Sequence, residues 1–235
     1  MVTVSEQLMR MLEMVAEALG KDLRQRLVFV GGCTTALFIT DKVTLEDVRA
    51  TDDVDLIIDL AGYASWADMQ NTLRERGFTE TPEDDVICRM RLGELKVDFM
   101  PDDEAILGFS NRWYPKGIET ALDHKLTEEL TIKKLAPELF VATKLEAYLG
   151  RGNNDLFFSR DMEDILLIVD GREELFEELQ GSEADIRDYV AEQFRALLKH
   201  RDFSEFVEGN IRGPEGRADM VLDRFEKISQ GGGGN

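Results

Sequence analysis

The chain has 235 residues and carries 28 Lys and Arg against 48 Asp and Glu, a formal net charge of −20. That balance excludes a protein whose whole surface grips nucleic acid regardless of sequence, because phosphate backbones are held by clustered cations. Hydrophobic residues make up 43% of the chain, enough for real cores, while the two cysteines and two histidines exclude a disulfide scaffold, a CxxC zinc site and a His-rich metal centre.

The first twenty residues show neither a basic end nor an apolar block, and no apolar run reaches the ~20 residues that span a bilayer. A soluble, cytoplasmic protein without a membrane partner is the expectation. Val4, Leu8, Met11, Leu12, Val15 and Leu19 fall at helical spacing, and Gly20 ends the pattern. Leu27 to Val30 reads as a buried strand. Gly31 and Gly32 follow, then a candidate helix over 33–39. The polar stretch 40–50 reads as a loop, and 54–60 as the next strand. Ser65 and Asp68 mark a helix start and Gly77 its stop.

Two β-type runs, 86–92 and 94–100, flank Gly93-Glu94 and read as a hairpin. The Pro- and Gly-containing stretch 101–117 reads as an ordered loop, with Asp102, Asp103 and Glu104 in a solvated turn. A second hairpin is expected over about 119–126 and 130–135. Pro137 suits a first helical position. Helical patterning then runs over 138–149, 160–170, 172–179, 183–199, 202–209 and 216–229, with Gly152-Asn153-Asn154 breaking the first two. The glycine-rich tail 231–235 is flexible by composition. The expected fold is α+β: an α/β domain over 1–135, an all-helical domain over 136–230, and the tail.

Three features of the first half fit together chemically. Gly31-Gly32 sits between a strand and a helix, where missing side chains let a ligand approach the backbone. Asp53 and Asp55, two apart on a strand, share one face, while Asp52 alternates away. Two hard oxygen ligands on one face suit Mg²⁺. Asp98 lies between apolar neighbours on a later strand. Like charges ~4 Å apart cost about 4 kcal/mol at an effective dielectric of ~20, so three converging carboxylates call for a cation. Cys33 reads as a small buried residue. Arg112, beside Trp113 and Tyr114, could grip a phosphate, or the loop could be anchored by its aromatics. Lys144 lies on an apolar helix, where it could serve chemistry or snorkel to water.

The order strand, Gly-Gly, helix, Asp-x-Asp, then a lone Asp on a later strand resembles the DNA polymerase β-like nucleotidyltransferase fold. With Arg49-x-Thr51-x-Asp53-Val54-Asp55, Pro137-Glu138, Lys144-Leu145-x-Ala147 and Ser159-Arg160-Asp161-x-x-Asp164, residues 27–170 resemble the AbiEii-type nucleotidyltransferases. These include toxins of type IV toxin–antitoxin pairs and phage-defence proteins.

The resemblance implies a mixed sheet and transfer of a nucleoside monophosphate from an NTP co-substrate to an acceptor hydroxyl, assisted by two Mg²⁺ ions. Asp53, Asp55 and Asp98 would hold the metals, with Asp98 beside the incoming hydroxyl. Gly31, Gly32 and Thr34 would cradle phosphates, and Thr51, Arg112 and Arg160 would join the nucleotide site. Lys144 would neutralise phosphate charge and Asp161 would orient it or the acceptor. A tRNA is one acceptor implied, and a cognate antitoxin one partner. Three departures stand out: twenty residues separate Gly32 from Asp53, more than in compact members of the fold; Cys33 follows Gly32 where many relatives have Ser; and Leu139 stands where an acid is expected. Two alternatives stay open: a nucleotidyltransferase for small aminoglycoside-like molecules, and a non-catalytic nucleotide-binding module.

Overall fold

The computed structural model describes residues 2–60, 62–84, 86–151 and 155–231. The expected break at 152–154 and the tail beyond residue 231 lie outside the described residues. The chain forms two compact units, and the division is not a single cut. The first unit comprises Met1–Thr34 and Arg49–Ala136, the second Thr35–Val48 and Pro137–Asn235. The class is α+β with a six-stranded mixed sheet. Among the described residues no helix is long and apolar enough to cross a membrane.

The first unit opens with helix α1 (Val4–Arg24), capped by a reciprocal pair in which Thr3 accepts from the Glu6 amide and Glu6 accepts from the Thr3 amide. Gly20 breaks the helical backbone at φ 67°, as its position in the pattern suggests, yet the helix resumes for a further turn. The apolar stripe of α1, from Leu8 to Leu23, is buried and packs against the sheet. The strands are β1 (Val28–Val30), β2 (Asp53–Ile58), β3 (Arg89–Leu92), β4 (Leu95–Pro101), β5 (Leu122–Lys125) and β6 (Thr131–Lys134). Their order across the sheet is β3-β4-β2-β1-β6-β5. The pairs β1–β6 and β2–β4 are parallel; β1–β2 and the two hairpins β3–β4 and β5–β6 are antiparallel.

Alternation sorts β2 into two faces: Val54 and Leu56 are fully buried, while Asp53 and Asp55 are half-buried on the other side. Helix α3 (Gly62–Glu75) ends before Phe78, which meets Phe99 of β4 edge-on at 5.3 Å.

Three stretches differ from the sequence reading. Residues 33–39 do not form an α-helix: Gly32–Leu37 is a 3-10 helix, tightened by i→i+3 bonds such as Thr34 N to Gly31 O. The polar stretch 40–50 contains helix α2 (Lys42–Glu46), because Asp41 accepts from the Val43 and Thr44 amides and caps it. The stretch 101–117 contains α4 (Glu104–Leu107), capped by Asp103, and the start of α5 (Tyr114–Glu119), with Pro115 near its N-terminus. Asp102 is not simply a solvated turn residue. It accepts from the Leu60 amide, and burial raises its carboxyl above the usual range.

The second unit is helical, as expected from residue 137 onward. It contains α6 (Pro137–Arg151), α7 (Arg160–Gly171), α8 (Leu175–Gly181), α9 (Ala184–Leu198), α10 (Phe203–Asn210) and α11 (Arg217–Ser229). Phe194, Phe203 and Phe225 form its aromatic centre, with ring centroids 4.5 and 5.0 Å apart. The segment 35–48 is built into this unit. The Thr40 and Asp41 amides donate to Gly171 O, and Phe38 stacks on Phe140 at 4.4 Å.

Candidate functional site

Strand register assembles the carboxylates. Asp55 faces Val30 across β1–β2 and Asp98 across β2–β4, and Asp98 faces Arg89 across the β3–β4 hairpin. Residues opposite one another in a ladder project to the same face, so Asp55, Asp98 and Arg89 form one row across three strands. Asp53 lies two residues along β2 from Asp55, on the same face. Carboxylate oxygens of Asp53, Asp55 and Asp98 all lie within 4.8 Å of one another. The grouping expected from Asp-x-Asp and the lone Asp is therefore present.

Each carboxylate has its own restraint. Gly31, at φ +75°, leaves the space that Asp55 occupies: a Cβ on residue 31 would sit 1.8 Å from Asp55 Oδ2. The Thr51 hydroxyl donates to Asp53 Oδ1. Arg89 forks onto Asp98, Nε to Oδ1 at 2.7 Å and Nη2 to Oδ2 at 2.8 Å, and its Nη2 lies 3.8 Å from Asp53. These hydrogen bonds hold the Arg89 guanidinium above its ordinary pKa, against the effect of burial.

The remaining expected site residues fall as follows. Gly32 is buried at the head of the 3-10 helix. Thr34 is fully buried and its hydroxyl donates to Gly31 O at 2.9 Å, so that hydroxyl closes the turn. Cys33 and Cys88 are buried beside the carboxylates. Burial first, then Asp55 and Asp53, raises the Cys33 thiol pKa; burial and Asp98 push Cys88 up to about 12. Both are poor nucleophiles. Asp52 lies outside the carboxylate group and pairs with Lys96 at 2.6 Å. Arg112 is exposed just before α5, its guanidinium 4.8 Å from the Trp113 ring centroid. Trp113 itself is buried, which is the anchoring role.

In the second unit, Lys144 of α6 meets Asp161 at 3.1 Å and Asp164 at 2.6 Å, both from the first turns of α7. All three are buried, Asp164 completely. Burial works to lower the Lys144 pKa, but Asp164 and Asp161 outweigh it and the ammonium is held above its ordinary value. Lys144 therefore does not snorkel to water. Arg160 begins α7 and is exposed, while Ser159 before it accepts from the Met162 amide. Leu139, where an acid is expected, is core.

Two residues of these clusters escape a motif-by-motif reading: Arg89 and, as a Lys144 partner, Asp164. Both have a signal. A two-residue turn at Gly93-Glu94 pairs residue 92 with 95 and hence 89 with 98. Asp161 and Asp164 are three apart on a helix and share a face.

The donor set fits a hard divalent cation, being three carboxylates from two adjacent strands with mutual distances that one or two ions could bridge. Searches against protein-family models and against curated proteins find no match for this chain.

Proposed function

We propose that this chain is a Mg²⁺-dependent nucleotidyltransferase with a polymerase β-like catalytic unit, of the kind the AbiEii-type enzymes represent. The observation that carries the reading is the convergence of Asp53, Asp55 and Asp98 within 4.8 Å on two neighbouring strands. The order of β1, Gly31-Gly32, β2 and β4 supports it, because the strand before the glycines lies against the one bearing Asp-x-Asp.

Bound divalent ions would supply charge neutralisation at the triphosphate and at the attacking oxygen. The acceptor oxygen forms a bond to the α-phosphorus, the bond to the β-phosphate bridge breaks, and pyrophosphate leaves with that electron pair. Asp98, the most buried of the three acids, receives the acceptor proton. Thr51 and Gly31 fix Asp53 and Asp55, so the two carboxylates keep one geometry through the reaction. In the second unit, Asp164 and Asp161 keep the buried Lys144 charged. The acceptor is a macromolecular hydroxyl, a tRNA end being the first to test.

A second reading is favoured by one observation. Arg89 already neutralises Asp98 through two hydrogen bonds, as a non-catalytic nucleotide-binding module would permit. One experiment separates the two. The protein is incubated with each α-³²P-labelled NTP, Mg²⁺ and a bacterial lysate, beside the Asp53→Asn/Asp55→Asn variant. Label entering an RNA, protein or small-molecule fraction only with the wild type supports the transferase and identifies the acceptor class. Nucleotide binding without incorporation supports the module.

A further inference from the structure

Three cations lie on the strands beside the carboxylates: Arg89 and Arg91 on β3 and Lys96 on β4. Two of them are engaged outside the triad. Arg91 forks onto Asp84 at 2.7 and 2.8 Å, and Lys96 pairs with Asp52. Arg89 instead places both donors of its fork on Asp98 and approaches Asp53. We infer that Arg89 is a built-in counter-ion that competes with a divalent cation for Asp98, holding the three carboxylates together in the cation-free protein and giving way when a cation binds.

The inference rests on the cation-binding part of the reading above and concerns the regulation of that same site. A carboxylate has two oxygens, and the fork uses both of those of Asp98. Each of those oxygens keeps a second lone pair, but a cation that takes it meets the guanidinium charge at close range and competes with it for the carboxylate. The other two acids offer no easy relief. Asp55 is boxed against Gly31, and Asp53 is held by Thr51. Without Arg89 the three like charges would repel across less than 5 Å in a site partly shielded from water. With Arg89 in place, an approaching cation meets a guanidinium as well as the acids. The bidentate geometry makes the pair strong enough to act as a threshold rather than a passing contact.

The test is a Mn²⁺ titration, reading free Mn²⁺ by electron paramagnetic resonance, on wild type, Arg89→Met, Arg89→Lys and Asp98→Asn. Thermal unfolding is followed in EDTA and in Mn²⁺. Removal of the competing guanidinium should tighten Mn²⁺ binding by about tenfold in Arg89→Met. The same variant should melt lower than wild type in EDTA and recover more than wild type on adding Mn²⁺. Arg89→Lys, which keeps the charge and loses the fork, should bind Mn²⁺ with intermediate affinity. Unchanged or weaker Mn²⁺ affinity in Arg89→Met, with binding still dependent on Asp98, would overturn the inference and leave the cation site standing. Failure of both wild type and Arg89→Met to bind Mn²⁺ would overturn the cation site and the inference together. If Arg89→Met does not fold, Arg89→Lys decides, since equal affinity to wild type overturns the competition.

Discussion

The carboxylate of Asp55 occupies the space in which any side chain on Gly31 would begin: Oδ2 lies 1.8 Å and Cγ 2.7 Å from the position of a Cβ there. Gly31 also has φ +75°, a conformation L-residues adopt at a cost. The glycine thus makes room directly for the Asp55 carboxylate, in addition to any ligand that approaches its backbone. Gly31→Ala should lower stability by more than about 2 kcal/mol in urea unfolding. It should also weaken Mn²⁺ binding, because Asp55 has to move. Unaltered stability and Mn²⁺ affinity would show that the backbone can open without disturbing the acid.

The Lys144 trio makes a prediction about burial. Lys144→Met takes the ammonium away from Asp161 and Asp164, in a site where Asp164 is fully buried. Breaking a buried pair from one side costs about 3–5 kcal/mol. Lys144→Met/Asp161→Asn/Asp164→Asn should recover much of that loss, since the buried charge is removed with its partner. Additive losses in the combined variant, measured by denaturant unfolding, would contradict a coupled trio.

A third prediction concerns the anchoring of segment 35–48. A Cβ on Gly171 would lie 2.7 Å from Ile39 Cγ2 and 2.8 Å from Thr44 Cγ2. The Thr40 and Asp41 amides both donate to the Gly171 carbonyl, and Arg217 ties Asp41 to Asp170. Gly171→Ala should therefore destabilise the protein by about 1–3 kcal/mol, as overpacking does. It should also speed amide exchange at Thr40 and Asp41. Wild-type exchange at those amides would contradict the packing described.

Asp41 gives the expected pH dependence. Amide hydrogen bonds from Thr44, then the Arg217 and Thr44 side chains, lower its pKa to about 2 from an ordinary 3.8. A lowered carboxyl contributes stability that is fully present above the ordinary value and is lost as pH falls through the folded value. The melting-temperature gap between wild type and Asp41→Ala should be the same at pH 7 and pH 5. It should narrow as pH approaches 2. A gap already closed at pH 5 would contradict the cap.

The strands and long helices were legible because local patterns specify them. Leu27 to Val30 is apolar without interruption, Asp53 to Leu56 alternates before the apolar Ile57 and Ile58, and α9 and α11 carry apolar residues at helical spacing. The missed elements are short, and distant residues hold them. Helix α2 has five residues, and its cap Asp41 is fixed by Gly171 and Arg217, more than a hundred positions away. No local window contains that information. The carboxylates were legible because strand alternation and chain order together imply their shared face. Arg89 was not, because a single charged residue at a strand start carries no signal until the hairpin register is counted. Lys144 was legible as a position only; its pairing with Asp164 required the packing of α6 on α7.

The most direct test of the carboxylate centre is a crystal structure of the protein soaked with Mn²⁺ and a non-hydrolysable NTP analogue, phased for anomalous scattering. The expected result is an anomalous peak coordinated by Asp53, Asp55 and Asp98, with the Arg89 fork withdrawn from Asp98. No peak at the three carboxylates at saturating Mn²⁺, with Arg89 still bonded to both Asp98 oxygens, would contradict it.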